Sequence, residues 1–235
     1  MPVPIGSGVS SKMRFLKLKL EGPLQSWGER SRWDSRDTTA MPTKSAVIGL
    51  LGCCLGYPRH SEKLNELDAA LHLAVRADEP GRILTDFHTV QTEEGKTFPT
   101  ASGGKRTGNT IITPKQYLQG ARFTVFLWGD EEMLAKCAEA LLHPHWTPYL
   151  GRRNCVPSSP LIPQFVEAAD ADQAVRTDCT VDAAVEIELL SGDTVREDEH
   201  VIRRLDSLVD ASRNEYKHRY VRASWIRAKE ESACI

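Results

Sequence analysis

No two cysteines in this 235-residue chain stand in the CxxC spacing that gathers thiolates around a metal. The six of them (Cys53, Cys54, Cys137, Cys155, Cys179 and Cys234) do not form a ligand set. Zinc needs clustered thiolates or imidazoles, so neither a metal nor any other cofactor is expected. Unpaired thiols fit a reducing compartment, and a cytoplasmic location is the expectation. Every apolar run is too short to span a bilayer, so no membrane partner is expected. The first residues lack a basic region followed by an apolar core, the mark of a signal peptide. Excess charge of either sign is also missing: the formal net charge is −2. Global charge therefore offers no pointer to nucleic acid, although binding depends on where charge sits. With 40% hydrophobic and 26% charged residues, the composition is that of a globular protein and not of a disordered one. The length suits one compact domain, or one domain with an appendage.

What charge there is lies unevenly. Between Gly95 and Arg122 stand five basic residues (Lys96, Lys105, Arg106, Lys115 and Arg122) and no acidic one. Between Pro160 and His200 stand eleven acidic residues against two basic ones. One stretch could face phosphate while the other faces solvent or a basic partner; both could equally be solvated faces.

The chain reads as alternating strands and helices. Residues 1–12 are small and polar and read as a flexible leader. Arg14–Leu20 has the period of a half-buried strand, Leu16, Leu18 and Leu20 on one side and Phe15, Lys17 and Lys19 on the other. A helix is expected from about Lys44 to Leu55 with Thr43 as N-cap, and a second after Ser61 through Leu64, Leu67 and Leu71. Strands are expected at Leu73–Ala77, Ile83–Val90, Arg122–Trp128 and Val181–Leu189, and a helix at Asp130–Leu142. Gln91–Thr110 is polar and Gly-bearing, and a loop of that length is functional or disordered. This order suits an α+β fold: a ferredoxin-like (RRM-type) core over residues 13–160 with an insertion after its early strands, and a β-rich C-terminal extension over 161–235.

Three stretches could carry chemistry. Leu20–Gly28 follows the first strand; Gly22 would let the backbone approach a phosphate, and Trp27 could stack on a base or plug the core. Met41-Pro42-Thr43-Lys44-Ser45 opens a helix, where free N–H groups and the dipole favour an anion; plain capping is the alternative. Thr147–Cys155 sets Arg152 and Arg153 beside Gly151 and Tyr149, offering phosphate forks and a stacking face, or simply a basic surface turn. Lys105 and Arg106 would either meet RNA or sit at a solvated hairpin tip.

Leu20–Gly28, Met41–Gly56, Ala74–Glu79, Asp86–Val90 and Thr147–Cys155 together resemble the CasD-type subunits of type I-E CRISPR Cascade complexes. These belong to the Cas-five branch of the repeat-associated mysterious protein (RAMP) superfamily. The similarity runs in order from about Met13 to Leu161, and it implies that the insertion is a β-hairpin thumb at about 91–110. It implies an RNA-binding protein of antiviral defence that caps the crRNA 5′ handle without cutting it. The implied partners are the Cascade backbone subunit, the large PAM-recognising subunit and, indirectly, target DNA. Candidate handle contacts are Gly22, Gln25, Trp27, Lys44, Ser45, Arg76, His88, Lys105, Arg106, Tyr149, Gly151, Arg152 and Arg153. A related type I-C branch cleaves repeat RNA without metal. Such an endoribonuclease needs a base or acid and a stabiliser of the strained phosphate, and His88, Tyr149 and Lys44 are the residue types for it.

Overall fold

The computed structural model describes residues 12–29, 35–93, 96–100, 102–105, 108 and 110–228. Residues 1–11 of the expected leader and the candidate Arg106 lie outside them. In chain order the elements are β1 (Met13–Glu21), β2 (Leu24–Gln25), α1 (Lys44–Cys54), α2 (Lys63–Ala70), β3 (Leu71–Glu79), β4 (Arg82–Gln91), β5 (Thr110–Gln119), β6 (Arg122–Gly129), α3 (Glu131–Leu142), β7 (Gln164–Ala168), α4 (Ala171–Val175), β8 (Ala183–Glu188), β9 (His200–Asp210) and β10 (Glu215–Ile226).

Seven strands form one antiparallel sheet in the order β7-β1-β6-β3-β8-β10-β9. The mixed α and β class read from the sequence holds. Alternation along the strands builds a core on each face. Leu16, Leu18 and Leu20 of β1 and Phe123, Val125 and Leu127 of β6 turn toward α1, α2 and α3. Phe15, Phe126 and Trp128 turn the other way and pack with Ala174 and Val175 of α4. Each fully buried large side chain stabilises the fold by about 1.5–3 kcal/mol. The period of β1 was legible, but its second face is no solvent face. Phe15 is buried there, and buried Lys17 reaches Asp178 at 2.7 Å.

Helix α3 starts for a local reason. The Asp130 carboxylate accepts a hydrogen bond from the Met133 N–H at 2.8 Å and caps α3. Thr43 does occupy the N-cap of α1, yet its hydroxyl makes no capping bond.

A second sheet stands apart, in the order β2-β5-β4. β4 and β5 pair antiparallel from Arg82↔Gln119 to Gln91↔Thr110. The expected loop therefore joins a hairpin whose returning strand, β5, the sequence reading missed. Pro114 lies inside β5 and lacks a donor, which argues against a strand. It is tolerated because, among the described residues, the edge there carries only a short bridge to residue 36, in which the Arg36 N–H donates to the Pro114 carbonyl at 3.0 Å.

Candidate nucleic-acid interface

The turn after β1 is built around buried amides. Gln25 Nε2 donates to the Leu20 carbonyl at 3.2 Å and the Ala121 carbonyl at 2.7 Å, while its Oε1 accepts from Trp27 Nε1 at 3.1 Å. Trp27 is 0% exposed and belongs to the core beneath the helices. A ring with no free face cannot stack on a base, so Trp27 and its partner Gln25 leave the candidate set. Gly22 is close to backbone as expected, but to the chain's own: a Cβ there would lie 2.8 Å from the Val156 carbonyl oxygen.

The loop Thr147–Cys155 docks onto this turn. Ser26 N–H donates to the Leu150 carbonyl at 3.1 Å, and Gly151 has φ +88° with its would-be Cβ only 1.7 Å from the Ser26 carbonyl oxygen. Only glycine fits a left-handed backbone pressed this closely. Arg152 Nη1 donates to the Gln116 carbonyl at 3.0 Å and its Nη2 to the Asp37 carbonyl at 3.2 Å. Its guanidinium lies 4.8 Å from the centre of the Tyr117 ring, whose hydroxyl accepts from Asn154 Nδ2 at 3.0 Å. Gln116 N–H donates to the Arg36 carbonyl at 2.7 Å. Four segments far apart in sequence thus meet at the foot of the hairpin: the turn, the residue 36–39 linker, β5 and the basic loop. Arg36, Lys115 and Arg152 are half-buried at this junction, and the same docked loop carries half-buried Tyr149 and exposed Arg153. Arg36 escaped the sequence reading, because nothing local ties it to Lys115.

The start of α1 tells a different story. Lys44 N–H donates to Asp206 Oδ2 at 2.8 Å, so the anion at this helix terminus is a side chain of β9. Lys44 Nζ is buried 3.2 Å from Glu188 Oε1 and 3.7 Å from Asp68 Oδ2. Arg219 grips Asp206 through two bonds of 3.0 and 2.8 Å. Burial pushes the Asp68 carboxyl up, against the Lys44 charge and the Ser207 hydrogen bond. Burial also pushes Glu188 up, but the His72 hydrogen bond and the charges of Lys44 and Arg219 outweigh it and hold the group below its ordinary value. Lys44 is therefore an interior counter-ion, not a phosphate ligand; its neighbour Ser45 is half-buried.

Arg76 is likewise interior. Its Nη1 donates to the carbonyls of Val175 and Thr177, each at 2.7 Å, and its Nε to Asp78 Oδ1 at 2.6 Å. It ties α4 to the sheet and, at 3% exposure, lies out of reach of RNA. His88 sits half-buried on β4 opposite Thr113, and Lys105 is exposed beyond the hairpin strands. Among the described residues no hydrogen bond, ion pair or ring contact joins any two of His88, Tyr149 and Lys44.

Of the eleven acids between Pro160 and His200, Glu186, Glu188 and Glu199 are buried and Asp172 is half-buried, all four in ion pairs, while the other seven are exposed. Asp172 pairs with Arg222 and Arg196, each at 2.8 Å, Glu199 with Arg222 at 2.9 Å, and Glu186 with Arg204. With Lys17–Asp178 and Lys44–Glu188, these pairs stitch the run to β1, α1, β9 and β10. Among the described residues no group of three or more His, Cys, Asp or Glu could hold a metal ion, and no helix is long and apolar enough to cross a membrane.

A family model described as CRISPR-associated protein (Cas_Cas5) matches residues 15–229. The CRISPR system Cascade subunit CasD of Escherichia coli (strain K12) is 35% identical over 171 residues, 68% of this chain and 75% of that protein. A solved chain of a CRISPR RNA-guided surveillance complex superposes with TM-score 0.71 at 31% identity, covering 93% of this chain and 91% of that one. A crystal structure described as that of a Cas protein follows with TM-score 0.66 at 28% identity, covering 91% and 95%. The chain belongs to the CRISPR-associated Cas5 family, whose CasD-type members its sequence motifs resemble.

Proposed function

We propose that this chain is the non-catalytic subunit of a Cascade-type complex that holds the 5′ handle of the guide RNA at the foot of the β4–β5 hairpin. The observation that carries this reading is the junction where Arg36 is bonded to β5 beside Lys115 and Arg152 is bonded to Gln116 and Asp37, with Tyr149 and Arg153 on the same docked loop. Cations fixed to a rigid frame suit phosphates, and an adjacent tyrosine suits an unstacked base. Gly151, Ser45 and Lys105 remain candidate contacts, as does Arg106.

The strand order β7-β1-β6-β3, with α1 and α2 between β1 and β3 and α3 after β6, supports a ferredoxin-like core. On this reading the core takes in β7 and so runs past residue 160. The β4–β5 hairpin is the thumb, and β8, β9 and β10 are the C-terminal extension. The backbone subunit would meet the thumb, and the large PAM-recognising subunit would meet the opposite flank, bringing target DNA near only indirectly. A cytoplasmic location goes with the reading, as does the absence of any cofactor.

Lys44, bound to Glu188 and Asp68, favours positional binding over strand cleavage, since a catalyst cannot be tied up in the interior. The test is incubation of the purified chain with cognate repeat RNA in EDTA, with bound and cleaved species resolved together. Binding without a new 5′ end is expected. A discrete cut within the repeat, lost on His88→Ala or Tyr149→Phe, would make the chain the processing enzyme instead.

A further inference from the structure

The fold withdraws Trp27 from solvent and leaves half-buried Tyr149 as the aromatic of the basic loop. A different tryptophan stands outside. Trp146 is 45% exposed and immediately precedes Thr147–Cys155. Exposure alone does not single it out, because Trp225 and Phe87 are more exposed; its place beside the basic loop and the way its backbone is held do.

This ring is held in place by its own backbone and not by the core. Cys53 Sγ donates to the Trp146 carbonyl at 3.8 Å and to the Thr147 carbonyl at 3.6 Å. One residue earlier, His145 N–H donates to the Cys54 carbonyl at 2.8 Å. Gly56, at φ +72°, lies so near the His145 ring that a Cβ there would be 2.7 Å away. The His145 and Trp146 rings meet edge-on, with centroids 4.9 Å apart and planes inclined by 72°. The stretch is thus pinned to the last turn of α1 at three successive residues.

Its electrostatic setting is one-sided. Residues 44–61 and 143–166, the two segments that meet here, contain no aspartate or glutamate. Arg153 is exposed, and its charge bears on the Cys53 thiol that holds the Trp146 carbonyl. Glu139 of α3 reaches the start of the segment, 3.8 Å from His143 Nε2. An exposed indole on a pinned backbone, with exposed Arg153 acting on the same cysteine, is complementary to a nucleotide: phosphate to the arginine, base to the ring. An apolar patch of a neighbouring protein would use the ring but not the cation.

We propose that Trp146 is a base-stacking residue for a single-stranded nucleotide of the guide RNA whose phosphate Arg153 holds. The proposal rests on the RNA-binding reading given above. The experiment is a titration of full-length wild type, Trp146→Ala and Trp146→Phe with RNA carrying the cognate 5′ handle, followed by anisotropy and by tryptophan emission. Stacking of one base predicts that Trp146→Ala weakens binding by about 5- to 100-fold while Trp146→Phe keeps most of the affinity. The slope of log Kd against log salt stays unchanged in both, because no charge is removed. RNA quenches wild-type emission, and that quenching disappears in Trp146→Phe, a readout that stands even if the alanine variant folds poorly. Unchanged affinity in Trp146→Ala, with quenching intact in Trp146→Phe, overturns the proposal. So does unchanged RNA affinity in Trp146→Ala with lost capture by the purified backbone subunit, which assigns the ring to a protein contact. Failure of the wild type itself to bind the handle brings down the underlying reading, and this inference with it.

Discussion

The Asp206 carboxylate accepts the Lys44 backbone N–H at 2.8 Å and thereby fills, from within the molecule, the anion position at the start of α1. Arg219 closes the arrangement with two bonds to the same carboxylate. Removing one member of a buried pair leaves the other charge uncompensated and costs about 3–5 kcal/mol. Asp206→Ala is therefore expected to lower the urea midpoint by that scale of stability. Handle affinity of the folded protein should be unchanged. Loss of affinity without loss of stability would return this helix terminus to the RNA site.

Gly151 is the residue on which the docking of the basic loop depends. Alanine there meets both a left-handed backbone and the Ser26 carbonyl oxygen. Gly151→Ala should cost at least about 1–3 kcal/mol and weaken RNA binding at the same time, because the loop must lift off the turn. Thermal unfolding and anisotropy on the same sample check this. An unperturbed Tm would mean that the loop does not need the contact.

Trp27→Ala separates core from site. A buried ring lost from the helix-side core costs about 3–5 kcal/mol. In the fraction that still folds, the salt slope and the affinity should match wild type. A selective loss of affinity at intact stability would put Trp27 back against RNA.

Acid should destabilise the protein. Asp172 and Glu188 are buried groups held below their ordinary values, burial pushing each up but arginine, lysine and histidine partners prevailing. A depressed folded-state pKa contributes stability that is present above the unfolded value, near 4 for carboxylates, and lost as pH falls through the folded value. Asp68, raised chiefly by burial, works the other way, its contribution fading as pH rises through its folded value. The prediction is a urea midpoint that falls below about pH 4 in wild type and Asp68→Asn alike, whereas the decline that Asp68 imposes as pH rises above about 4 is absent from Asp68→Asn. A flat acid limb would mean that the two ion clusters do not form.

Much of the main sheet was legible because its strands carry their own period: β1, β3, β6 and β8 alternate or run apolar, and α3 shows both a cap and an apolar stripe. β5 was hidden by Pro114, and β9 and β10 by their arginines, which look like surface until Glu186, Glu188 and Glu199 of the acidic run and Asp206 of β9 are folded against them. The site was half legible. Local sequence can mark Arg152, Arg153 and Gly151 as a basic, Gly-bearing loop. It cannot say that Trp27 points inward or that Lys44 finds Glu188, 144 positions away. Trp146 lay one residue outside the motif that drew the eye.

The central claim is that phosphates are held where the basic loop meets the hairpin foot, and the salt dependence of handle binding tests it most directly. Arg153 is exposed, whereas Arg152 is engaged by the carbonyls of Gln116 and Asp37. Arg153→Ala should reduce the slope of log Kd against log salt by about 0.7, the value for one phosphate on a single strand, with stability unchanged. Arg152→Ala should lower stability as well, since it frees the loop from β5. Wild-type slope and affinity in Arg153→Ala would contradict the account and move the RNA elsewhere on the molecule.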